Sequence, residues 1–133
     1  MGVAVANFPN LFMIVGPKSR LANVPPVIEA HVEFIAGAIT WAEENRKLYS
    51  NPSHQKVEIE TTKEAEKEWS ELCNSLSDKL PYKTSESSHF FGANVEDKVR
   101  SVLVFFGGIA MFRQTLQDCV DSGYKCFHGF LIH

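Results

Sequence analysis

Apolar and polar positions follow two different periods along the chain, and the breaks between them fall at glycine and proline. Residues 11–15, "LFMIV", form an unbroken apolar run closed by Gly16 and Pro17. That is the pattern of a strand buried on both faces of a parallel sheet, and hence of one that needs neighbours. A polar loop follows, then Pro25 and Pro26, which a helix tolerates in its first turn because the N–H groups they lack would be unpaired there. Asn23 or another loop residue is the candidate cap. From that start Ile28, Val32, Ile35, Ile39 and Ala42 make one stripe at helical spacing, and Val27, Phe34, Ala38 and Trp41 make a second beside it. The first predicted helix is therefore apolar over more than half its surface.

The pattern turns polar through "NRKLYSNPSHQ", and "KVEIE" then alternates like a short, half-exposed strand. Thr61 with Glu64 three residues on is a capping box, and Ala65, Trp69, Leu72, Cys73, Leu76 and Leu80 keep one face of a second helix until Pro81 stops it. The stretch "YKTSESSHFFGANVEDK" has neither period and reads as a long loop, a length that in a compact domain is usually functional. "SVLVFF" predicts a second buried strand ending at Gly107 and Gly108. A last helix runs from about Ile109 to Val120 with Gly123 placed to end it, and "YKCFHGFLIH" is a short strand or tail. Strands and helices interleave, so the class is α/β, helix-rich with a few short buried strands. Two buried strands and a doubly apolar helix need more cover than two amphipathic helices supply, which marks the chain as part of a core.

Of the 133 residues, 44% are hydrophobic and 22% charged, which suits one globular domain or a piece of one. A net charge of −3 without any Lys/Arg cluster leaves no basic face for a nucleic acid or an anionic membrane. No apolar run is long enough to span a bilayer. Three cysteines cannot all pair internally, and the opening "MGVAVANFPN" lacks the positive start of a secretory signal, so a reducing, cytoplasmic setting is expected. Cys119, Cys126, His128 and His133 match no compact zinc spacing; a buried thiol and a tail histidine are expected there, and no metal. Glu58, Glu60, Glu64, Glu66 and Glu68 read as a solvated face, with no matched base or nucleophile and so no catalytic carboxylate.

Six segments, "FPNLFMIVGP", "NVPPVIEAHVEFI", "IETTKEAEKEW", "FFGANV", "FFGG" and "GYKCFHGF", occur in an order and spacing that resembles the C-terminal portion of Baeyer–Villiger flavin monooxygenases of the cyclohexanone monooxygenase type. The resemblance covers nearly the whole chain. It implies that residues 1–133 are a single partial domain, the end of a Rossmann-like FAD domain. It also implies an enzyme that uses FAD and NADPH to insert one oxygen of O₂ beside the carbonyl of a small ketone, through a C4a-peroxyflavin. By the same resemblance Asn23, Val24 and Pro25 sit against the flavin ring, Leu21 and Ala22 face the substrate, and the loop holding His89 closes over the nicotinamide cofactor. The family usually has tryptophan at that loop position. Histidine can still donate a hydrogen bond there, from a smaller and titratable ring. Glu96 and Asp97 stand where the family tends to have Pro-Gly.

No GxGxxG follows a strand anywhere in the sequence, so neither the flavin nor the nicotinamide pyrophosphate finds its phosphate loop in these residues. The family's fingerprint motif and catalytic arginine are not in them either. The chain is thus expected to be inactive alone and to depend on a missing FAD- and NADP-binding portion, in the same or a separate chain. A non-catalytic α/β interaction module, or one chain of a split monooxygenase, are the alternatives.

Overall fold

Two prolines and a run of small and apolar residues set up the longest element, α1 (Val24–Lys47), with Pro25 and Pro26 in its first turn as the sequence predicts. The computed structural model describes residues 1–19, 23–47, 58–80, 89–91 and 101–128. Along α1, Val27, Ala30, His31, Phe34, Ile35, Ala38 and Ala42 are buried, and Ile28, Val32 and Ile39 are exposed. One of the two predicted stripes therefore faces the core while most of the other faces out.

The buried stripe packs on α3 (Gly108–Asp121), which contributes Phe112, Leu116 and Cys119. Gly123, at φ +72, lies just beyond the end of α3. There the left-handed backbone is free of a side-chain penalty, and the turn brings Tyr124 back onto α1. The Tyr124 ring lies 5.7 Å from Phe34 and 5.6 Å from Trp41. A Cβ at Gly37 would stand 2.5 Å from its hydroxyl, so this face of α1 has room for the ring only at a glycine.

Helix α2 (Lys63–Asp78) is capped by Thr62, whose hydroxyl accepts from the Ala65 N–H at 3.0 Å. The sequence places the cap one residue earlier. Thr61 is instead drawn into the sheet, its hydroxyl donating to the Cys126 carbonyl. Trp69, Cys73 and Ser77 form the buried face of α2, and the Trp69 indole stacks on Phe105 at 4.9 Å and meets Phe112 edge-on at 6.0 Å.

The sheet is small: β1 (Glu60–Thr61) pairs antiparallel with β2 (Phe127–His128), Glu60 opposite His128 and Thr61 opposite Phe127. Neither long apolar run is a strand. In residues 11–15 Leu11 and Ile14 are 44% and 46% exposed, and one backbone bond, Met13 N–H to the Val3 carbonyl, ties the run to its neighbour. In residues 101–106 Leu103 is exposed in the same way. A strand buried on both faces exists only with partner strands on its edges, and among the described residues these runs have isolated hydrogen bonds in their place. The result is a helix-rich α/β piece whose core is shared by three helices and a two-stranded ladder. Among the described residues no helix is long and apolar enough to cross a membrane.

Candidate functional site

The site builds outward from the Gly16-Pro17 turn. Val15 and Lys18 adopt φ of 54° and 59°, a left-handed backbone that costs a non-glycine residue about 1–2 kcal/mol and is least favourable for a β-branched one. Neighbouring groups hold it. The Val15 N–H donates to His31 Nδ1 on α1 at 3.0 Å, the Ser19 hydroxyl donates to the Gly16 carbonyl, and the Lys18 N–H donates to the Leu103 carbonyl at 3.2 Å. Gly2 packs so closely on the turn that a Cβ there would lie 2.6 Å from the Pro17 carbonyl.

From this turn the chain enters α1. Asn23 and Pro25 are exposed and Val24 is half-buried, while Leu21 and Ala22 lie outside the described residues. An α-helix begins with four N–H groups that have no partner within the helix. Here two of those positions are prolines, and the first turn carries no acidic side chain. What remains is a positive dipole end with few donors, poorly suited to a phosphate, which calls for several N–H groups at once.

His89 opens a 3₁₀ turn, His89–Phe91; its side chain lies outside the described residues. The backbone of that turn joins the first site through residues 101–103, which the sequence reading gives to a buried strand and not to the site. Leu103 donates its N–H to the Phe90 carbonyl at 2.9 Å while its own carbonyl accepts from Lys18, and the Ser101 N–H donates to Phe91. The Gly16-Pro17 turn and the His89–Phe91 turn are therefore neighbours across residues 101–103.

Burial shifts several groups, among them the Met1 amine, lowered from 8.0 to about 4, and two side chains that bear on the site. His31 is fully buried, in edge-on contact with Phe112 at 5.2 Å, and its pKa is lowered to about 4 by burial, with the Met1 ammonium adding to the shift and a backbone contact with Met1 opposing it. Its Nε2 has no hydrogen-bond partner among the described residues. Burial pushes the Cys73 thiol up to about 11, which leaves it protonated and unreactive at neutral pH. Cys119 and Cys126 are joined as a disulfide, with Cα atoms 6.3 Å apart, where the sequence reading expects a buried thiol. The turn at Gly123 reverses the chain and brings a cysteine seven positions on back against the helix end. Among the described residues no three His, Cys, Asp or Glu side chains are arranged to hold a metal. A cleft of about 340 Å³ between α1 and α3, lined by Glu33, Gly37, Arg113 and Tyr124 among others, is separate from residues 23–25.

No family model matches the chain. It is 39% identical over 133 residues to a phenazine N-monooxygenase of Lysobacter antibioticus, the match covering 100% of the chain and 22% of that protein. It is 36% identical over 128 residues to the cyclohexanone 1,2-monooxygenase of an Acinetobacter species, covering 96% of the chain and 22% of the relative. Among solved structures, cyclohexanone monooxygenase from Rhodococcus sp. Phi1 bound to NADP+ superposes with a TM-score of 0.79 at 38% identity, over 96% of this chain and 22% of that one. A steroid monooxygenase bound to NADP superposes at 0.76 and 29% identity, with the same coverage. The chain thus spans about a fifth of the length of the relatives it matches.

Proposed function

From its homology with one segment of Baeyer–Villiger and cyclohexanone monooxygenases, we propose that the chain is the C-terminal part of the FAD domain of such an enzyme, a single partial domain over residues 1–133. Its work is done with an FAD- and NADP-binding portion in the same or a separate chain. When bound, the flavin supplies oxygen activation, with NADPH as reductant and a small ketone as acceptor. The residues here bind and orient. Asn23, Val24 and Pro25 abut the flavin, where the donor-poor helix end meets a ring carbonyl. Leu21 and Ala22 border the substrate, and the loop with His89 covers the nicotinamide cofactor.

The observation that carries this reading is the exposed stripe of Ile28, Val32 and Ile39 on the helix that starts at the proposed flavin contact. In the proposed enzyme this apolar face packs against the missing portion. Pro25 provides the test. In the enzyme that joins this chain to the FAD- and NADP-binding portion of the matched Acinetobacter monooxygenase, Pro25→Gly loosens the backbone at the ring. A larger share of NADPH should then be consumed as hydrogen peroxide, with less ester. Unchanged coupling would remove residues 23–25 from the flavin contact.

A further inference from the structure

The function proposed above assigns nothing to His31, yet this side chain is among the most deeply buried polar groups of the chain. It sits on the core face of α1, seven residues past the helix start, so its backbone is fixed by the helix while its ring reaches back to the turn before it. The partner it finds there is specific. Val15 is β-branched and at φ 54°, the conformation a valine least readily adopts unaided. Its N–H has left the extended geometry in which a neighbouring strand would accept it. His31 Nδ1 takes that bond at 3.0 Å. Because Nδ1 accepts, the ring proton resides on Nε2, which fixes the tautomer.

We propose that His31 is the positioning residue for the Val15–Ser19 turn that leads to the proposed flavin contact. As a neutral acceptor it clamps the strained Val15 turn to α1, the helix whose first residues are proposed to meet the flavin. The inference rests on the function proposed above for its catalytic consequence, but its structural content stands apart. The neutral ring is what the clamp needs, since an imidazolium has no acceptor, and burial keeps it neutral at physiological pH. The clamp reaches further through Lys18. Its N–H bond to Leu103, and the Leu103 bond to Phe90, place the His89 turn on the same hydrogen-bonded frame.

Two variants separate positioning from packing. His31→Leu fills most of the space without an acceptor; His31→Gln keeps an acceptor oxygen on a neutral side chain of similar reach. In the joined enzyme, amide hydrogen exchange of peptides spanning residues 13–19 should rise at least tenfold in His31→Leu and return to within about threefold of the parent in His31→Gln, with α2 peptides unchanged in both. Exchange that stays at the parent level in His31→Leu, or rises equally in both variants, overturns the clamp. Hydrogen peroxide formed per NADPH consumed reports the second half: it should increase several-fold in His31→Leu and recover in His31→Gln. Parent-level coupling in His31→Leu, despite faster exchange, overturns the role in positioning the turn that leads to the flavin contact. A parent enzyme that oxidises no NADPH counts against the proposed function instead, while the exchange data still decide the clamp.

Discussion

Replacing Val32 with lysine separates a face that is solvated in the complete protein from one that is covered. Val32 lies at the centre of the outward stripe of α1 and is 50% exposed, with Ile28 at 37% and Ile39 at 44%. Full burial of a valine-sized side chain is worth about 1.5–3 kcal/mol, so covering this half-exposed residue has about 1 kcal/mol still to gain, and the three residues together about 3 kcal/mol. Lysine at position 32 forfeits that gain and forces an ammonium to desolvate or to displace its cover, for a total of about 2–4 kcal/mol in the joined enzyme. In the chain alone the same change should fall within about 0.5 kcal/mol of neutral, because nothing covers the position. The assay is thermal release of flavin, followed by its fluorescence, for the joined enzyme. For the isolated chain it is helix content and binding of a hydrophobic dye, which the lysine should reduce. Equal, near-neutral effects in both contexts would refute the reasoning and leave the stripe an ordinary surface.

The other expectations are narrower. His31 is neutral at pH 7 with a pKa lowered from 6.5 to about 4. The unfolded state therefore binds more protons between these values, and stability falls as pH drops from 6.5 towards 4. The His31 share reaches at most about 3 kcal/mol; the Met1 amine, which burial lowers from 8.0 to about 4, adds a slope of the same sign, so His31→Gln should make the pH dependence of the denaturant midpoint shallower across that window, and an unchanged slope would contradict it. Opening the Cys119–Cys126 link with Cys126→Ser releases a loop of about eight residues, which loop-closure entropy values at about 2.5 kcal/mol. Thiol titration of the unreduced, unfolded parent chain should count one free thiol, Cys73, and a count of three would show the link does not form.

Much of the helix framework was legible because its signals are local. Pro25 and Pro26 placed the start of α1, and Gly123, with its left-handed backbone, the end of α3. Thr62 took the cap from Thr61 because a two-residue ladder with Phe127 competed for the earlier threonine, a choice set by residues more than sixty positions away. The two apolar runs read as strands because apolar continuity reports burial, whereas strand pairing depends on neighbours the pattern cannot reveal. Residues 23–25 are proposed for the site from the prolines and from the family resemblance, and the structure places them at the start of α1. His31 could not be found in this way, since a lone histidine among apolar positions has no periodicity of its own. Its role follows from the backbone at Val15, and no one-dimensional pattern encodes that angle. Leu103 was hidden for the same reason, because it acts through its main chain.

As proposed above, this chain completes a flavin monooxygenase and does no chemistry by itself. The most direct test is ketone-dependent NADPH oxidation with bound flavin, measured on three samples: the chain alone, the FAD- and NADP-binding portion of the matched Acinetobacter enzyme alone, and the two joined. Stoichiometric FAD with ester formation in the joined protein only is the predicted result. A chain that by itself retains FAD through gel filtration and consumes NADPH, or a joined protein that folds and binds FAD yet forms no ester while the intact Acinetobacter enzyme does, would contradict it.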